Sequence, residues 1–122
     1  MTAINPKQLP FGRIAVGAAT YAAPDLVGAV FGFKPSEDQA AAFMARLFGV
    51  RDVAVGIGTL ASKGEAQAMW WRLGMLCDAA DVATGLLAFR TSGAPKRGAV
   101  LTMAVAVGAL GIGFAGARAA KA

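Results

Sequence analysis

Residues 98–117 read GAVLTMAVAVGALGIGFAGA, twenty in a row without a charge. As a helix rising 1.5 Å per residue, the run is about 30 Å long, the thickness of a bilayer's hydrocarbon core. Lys96 and Arg97 precede it, and Arg118 and Lys121 follow, as cations do where a span meets lipid headgroups. Within the run, Ala104, Gly108, Gly111 and Ala115 follow the i, i+4, i+7, i+11 spacing of a small-residue packing stripe. Ala109, Gly113 and Ala117 make a second such line. A membrane helix over 98–117 is therefore the firmest feature of the chain.

The composition points the same way. At 122 residues there is room for one domain over 1–122. Hydrophobic side chains make up 57% and charged ones 16%, where soluble domains carry about 25% charged residues. Mean hydropathy is +0.56. The net charge of +5 does not indicate nucleic acid, because Lys7, Lys34, Lys63, Lys96, Arg97, Arg118 and Lys121 fall between or beyond the apolar stretches. Cys77 is the sole cysteine, so no intrachain disulfide forms, and the lack of histidine removes His-based triads and His–metal sites. No cofactor and no metal are expected. Lys7 and Arg13 ahead of Ile14–Ala23 could form a signal peptide, but Gly17, Thr20 and Tyr21 interrupt its apolar core, and a retained first helix fits better.

Other helices follow from their punctuation. Arg90–Arg97 (RTSGAPKR) carries the turn residues Gly93 and Pro95. Before it, a helix over about 65–89 is separated by Lys63-Gly64 from one over about 37–62, and Ser36 with Gln39 forms a capping box for the latter. The first helix, about 6–23, opens at Asn5-Pro6 and stops at Pro24, which lacks an N–H. Asp25–Phe33 (DLVGAVFGF) is too short to span. It predicts a brief interfacial helix over about 25–31; the alternative is one kinked span from Phe11 to Phe33. The expected fold is all-α, a four-helix transmembrane bundle with a Pro-broken first helix, multi-pass in the cell's inner or plasma membrane. Cations are shared evenly between the two sides, so no orientation follows.

The two middle helices contain charges that lipid does not tolerate. Arg46, Arg51 and Asp52 lie on one, and Arg72, Asp78 and Asp81 on the other. A charge at the centre of a lone span costs about 2.5–3.5 kcal/mol on insertion scales, so these six should face inward and pair. A hairpin at Lys63-Gly64 puts residues whose numbers sum to about 127 at equal depth. Arg46 is then level with Asp81, Asp52 is near Arg72, and Arg51 is within reach of Asp78. Ala45, Gly49, Asp52, Gly56 and Thr59 share one face, as do Trp71, Met75, Asp78, Asp81 and Gly85. Arg46 and Arg51 stand about 140° apart on the wheel, so one must reach sideways to another helix or snorkel. If the first helix were continuous, Asp25 would approach Asp78 and Asp81, and one carboxyl could hold a proton.

The run Arg46–Gly56, RLFGVRDVAVG, resembles a motif of small bacterial four-helix membrane proteins grouped as a domain of unknown function and loosely DoxX-like. The Pro24…Phe31-Gly32 unit is similar to theirs as well. The resemblance implies the fold and the membrane location, and carries over Arg46, Arg51 and Asp52 as motif positions only.

Three functional readings remain open beside the purely structural one, in which the ion pairs only hold helices together. The first is a non-enzymatic membrane component, self-associated or part of a larger membrane complex through the 98–117 glycine stripe. The second is an enzyme acting on a lipophilic small molecule as an isomerase, cyclase or epoxide-opening activity. Asp78 or Asp81 would then be the acid or base, Arg46 or Arg51 would hold an anion, and Tyr21 would assist. The third is a small proton-coupled transporter. Trp70-Trp71 read as an interfacial anchor and Cys77 as a packing residue.

Overall fold

The computed structural model describes residues 5–32, 34, 38–91 and 96–121. They form five helices and no strand: α1 (Gln8–Ala22), α2 (Pro24–Val30), α3 (Gln39–Ala61), α4 (Gly64–Arg90) and α5 (Lys96–Lys121). The all-helical expectation holds, with boundaries within a few residues. The α5 helix is longer than expected at both ends, since lysine and arginine are good helix formers.

Proline decides the first unit. Ala23 leaves helical geometry at φ −138°, while its N–H still bonds the Ala19 carbonyl at 2.8 Å and closes α1. Pro24 then opens α2, where its missing N–H costs nothing. The kinked single span therefore does not form, and the short second helix does. Gly32, at φ +82°, supplies the left-handed residue that ends α2. Upstream, the Asn5 side chain accepts a hydrogen bond from the Lys7 N–H at 3.0 Å, capping a turn that leads into α1.

Asp38 caps α3 through hydrogen bonds from the Ala40 and Ala41 N–H groups at 3.0 and 3.4 Å. The Ser36–Gln39 capping box lies outside the described residues because Ser36 does, and so do Gly93 and Pro95. Between α3 and α4, Gln67 donates to the Thr59 and Ser62 carbonyls at 2.9 and 3.0 Å. These are carbonyls that the end of α3 leaves without helical partners. Gly64 turns the chain at φ +61°.

The helices pack as two close pairs, α1 with α3 and α4 with α5, while α3 and α4 touch more sparingly and α1 barely meets α5. Glycines make both pairings close. A Cβ on Gly49 would stand 2.5 Å from the Gly17 carbonyl oxygen, so α1 and α3 cross backbone to backbone. On the other pair, Gly116 lies under the Trp71 ring and Gly113 under Met75. Of the two small-residue lines on α5, only the one through Ala109 and Gly113 is buried. Ala104, Gly108, Gly111 and Ala115 stay exposed, and nothing lies within 4 Å of a Cβ placed on Gly108 or Gly111. Trp71 corrects its reading as an interfacial anchor: it is 6% exposed and packs inside the α4–α5 pair. Trp70 covers Gly58 of α3.

Inside and outside are inverted relative to a water-soluble bundle. Six hydrophobic residues are buried among those described, and four of them are alanines; Thr20, Asp52, Thr59 and Asp78 are buried with them. Twenty-one large hydrophobics are exposed, including Phe11 on α1, Leu26 on α2, Phe43 on α3, Leu76 on α4 and Val105 on α5.

Candidate functional site

Five acidic and basic side chains from three helices meet near the middle of those helices. Arg13 of α1 forks onto Asp78 of α4, with Nη1 donating to Oδ1 at 3.1 Å and Nη2 to Oδ2. Arg51 of α3 forks onto Asp81 of α4 at 3.1 and 3.0 Å. Asp52 stands between them, its Oδ1 at 3.7 Å from Arg13 Nη1 and 3.5 Å from Arg51 Nη2. The order of charge is Asp78, Arg13, Asp52, Arg51, Asp81. Bidentate pairing of this kind fixes direction as well as charge.

Local sequence explains the placement. Gly74, one turn before Asp78, leaves room for Arg13 to pass over α4, with Nη2 at 3.2 Å from where a Cβ would stand. Phe48, one turn before Asp52, lies under the Arg51 guanidinium at 4.5 Å. Gly49 and Gly56, a turn to either side of Asp52, let α1 come close enough to deliver Arg13. The shared face of Gly49, Asp52, Gly56 and Thr59 is buried as its spacing predicts, but the helix it meets is chiefly α1.

The remaining candidates lie apart from this cluster. Arg46 is exposed and its Nε donates to the Tyr21 carbonyl at 3.2 Å, the sideways reach to the first helix that the wheel geometry requires. It forms no ion pair with Asp81. Arg72 is exposed and forms no ion pair among the described residues, so the expected Asp52–Arg72 proximity gives no contact. The Tyr21 side chain is exposed. Asp25 is exposed in the first turn of α2, and the break at Ala23 keeps it off the Asp78–Asp81 face.

The hairpin register itself is close to that expected, with Trp70 beside Gly58 and Gln67 bonding Thr59. Arg51 nevertheless reaches Asp81 rather than Asp78, because Arg13 enters from α1 and occupies both oxygens of Asp78. Arg13 is the functional residue that sequence reasoning missed. In the sequence it figures only with Lys7 as the charged start of a possible signal peptide, yet it sits among Phe11, Ile14 and Val16 in a helical stretch. By the rule applied to α3 and α4, it belongs inside.

A cavity of about 290 Å³ opens onto this cluster. All five charged side chains line it, together with Leu9, Val16, Val27, Phe31, Phe48 and Val105. Its walls come from all five helices, and the short helix after Pro24 closes one side. A second cavity of about 360 Å³, between Pro10, Thr59, Gln67 and Trp71, touches none of the five. Among the described residues no group of His, Cys, Asp or Glu is disposed to hold a metal ion. No family model, curated protein or solved structure matches this chain.

Proposed function

We propose that this chain is a multi-pass membrane protein whose bundle binds a lipophilic small molecule beside an ion-paired Asp–Arg chain. The observation that carries the reading is the 290 Å³ cavity, with carbon walls and five charged side chains in one lining. Such a volume is at the small end of ligand pockets, about 300–1,000 Å³, and a few polar groups amid apolar walls are their usual construction.

The membrane part rests on the inverted surface and on length. The spans available are about 34 Å for α3, 40 Å for α4 and 39 Å for α5 at 1.5 Å per residue. Among the described residues, only α5, over Lys96–Ala120, is apolar enough to cross alone. Every 18-residue stretch of α3 contains Arg46, Arg51 and Asp52, and every one of α4 contains Asp78, Asp81 and at least one further charge. Three of those charges, Arg51, Asp78 and Asp81, are neutralised by forked pairs within the bundle, which is the condition for tolerating them in hydrocarbon. The likeness of Arg46–Gly56 to DoxX-like proteins supports the same placement.

A second reading, proton-coupled carriage of that molecule, is favoured by one observation: three carboxylates share two guanidiniums. Acid–base chemistry on the ligand would fall to Asp52, because both oxygens of Asp78 and of Asp81 are already engaged.

The test has two stages. Membranes carrying the full chain are washed with alkaline carbonate, and the protein should stay in the pellet; release into the wash sinks the membrane reading. The chain is then purified in mild detergent and its small molecules are extracted for mass spectrometry, beside Gly12→Leu. Gly12 lines the cavity, and a Cβ there meets nothing within 4 Å, so the leucine fills space without forcing helices apart. A lipophilic compound should accompany the wild-type chain and be missing from the variant. Equal recovery from both removes the cavity as the site.

A further inference from the structure

We infer that the molecule held in this cavity is a lipophilic monocation, an amine or quaternary ammonium with an apolar body, whose charge is met by Asp52. The inference rests on the binding reading above and adds the sign of the ligand's charge.

The first support is charge balance. Two guanidiniums, Arg13 and Arg51, face three carboxylates, Asp52, Asp78 and Asp81, which leaves one negative charge in excess. Among the described residues nothing else nearby offsets it. Around Asp52, α1 contributes Arg13, α3 contributes Arg51, and α4 contributes Asp78 and Asp81. The stretch of α5 beside the cavity has no charge from Gly98 to Ala117. A buried excess charge in a low-dielectric site is costly until a proton or a cation matches it.

The second support is the state of Asp52 itself. Its side chain is only 9% exposed and lines the cavity, yet neither arginine fork is directed at it. Both arginine forks are spent on its neighbours, and it sees each guanidinium only at 3.5–3.7 Å. Buried carboxylates ordinarily take several donors. This one keeps its acceptor capacity and faces space that a ligand can fill.

The third support is the wall. Phe31 lines the same space as Asp52, beside Phe48 whose ring already carries the Arg51 guanidinium, and aromatic rings near a carboxylate suit an ammonium group. Leu9, Val16, Val27 and Val105 offer carbon to whatever the cation carries. A bare inorganic ion would find too few oxygens there to replace its water shell.

The experiment titrates the full chain in maltoside micelles with three eight-carbon probes that differ in head charge: octyltrimethylammonium, octanol and octyl sulfate. Binding is read by calorimetry against the Gly12→Leu chain as the background for micelle partitioning. Octyltrimethylammonium should bind saturably and at least tenfold more tightly than octanol, and octyl sulfate should not compete. Asp52→Asn should lose at least tenfold for the cation while leaving octanol unchanged, and Asp52→Glu should restore the preference. Should Asp52→Asn fail to fold, the probe series on the unaltered chain still decides. Octanol or octyl sulfate binding as well as the cation, with Gly12→Leu abolishing all, overturns the monocation and leaves the cavity as a site. No difference between the unaltered chain and Gly12→Leu for any probe overturns the binding reading itself.

Discussion

Replacing Gly49 by alanine should loosen the α1–α3 pair by an amount that the coordinates allow to be worked out. The new Cβ would stand 2.5 Å from the Gly17 carbonyl oxygen and 3.1 Å from the Tyr21 nitrogen, against 3.4 Å for ordinary contact. The shortfall is close to 0.9 Å, and both obstacles are backbone, which has no rotamer to change. The helices must therefore part, and overpacking of this kind costs about 1–3 kcal/mol. Alanine's higher helix propensity returns about 0.8–1 kcal/mol. Gly111→Ala gains that same term with nothing within 4 Å of its Cβ, so the difference between the two variants isolates the crossing. That difference should be about 1–3 kcal/mol, roughly 5- to 150-fold in the unfolding equilibrium. The assay is thermal unfolding of the detergent-solubilised chain, followed by tryptophan fluorescence and circular dichroism. Gly17→Ala should behave like Gly49→Ala, and the double variant should cost less than the sum, because helices already parted admit a second methyl. Indistinguishable stabilities for Gly49→Ala and Gly111→Ala would refute the backbone crossing.

The remaining predictions concern the charges and the turn. Arg13→Met should destabilise by about 3–5 kcal/mol by stranding Asp78, whose side chain is 4% exposed. Arg46→Met and Arg72→Met, at exposed positions, should stay within about 0.5 kcal/mol; equal losses in all three melts would dissolve the distinction between cluster and surface. Gln67→Ala should cost about 1–2 kcal/mol by leaving the Thr59 and Ser62 carbonyls without their donor. Faster amide exchange at the α3–α4 turn would report it, and unchanged exchange would count against the bonds.

What was legible in the sequence is what local rules determine. Pro24 stopped α1, Gly64 turned the chain between α3 and α4, and three- and four-residue spacing gave the buried faces of both helices. The partner of each face was not legible. The spacing of Gly49, Asp52 and Gly56 says that something approaches closely, and a hairpin makes α4 the natural guess. The glycines that match, Gly17 on α1 and Gly74 on α4, are single residues whose meaning appears only when two helices are docked. The choice between the two small-residue lines of α5 has the same origin. Both satisfy the spacing rule, and Met75 on α4, packed over Gly113, selects the line through Ala109 and Gly113.

The pairing of helices also explains why the charges and the cavity coincide. Within each close pair, glycine and alanine let backbones approach. The seam between the pairs is different. Both guanidinium forks, Arg13 to Asp78 and Arg51 to Asp81, cross from the α1–α3 pair to α4. The 290 Å³ cavity lies along that seam, where α1 and α5 barely touch. Side-chain ions six or seven bonds long span a gap that alanine cannot, and a gap held open by ions is one a small molecule can enter. If the bundle stands in lipid as proposed, where burial of carbon drives little association between helices, those two forks are the main directional link joining the halves. Loss of Arg13 should therefore loosen the seam and empty the cavity together, whereas a filled Gly12 position should empty the cavity and leave the seam intact.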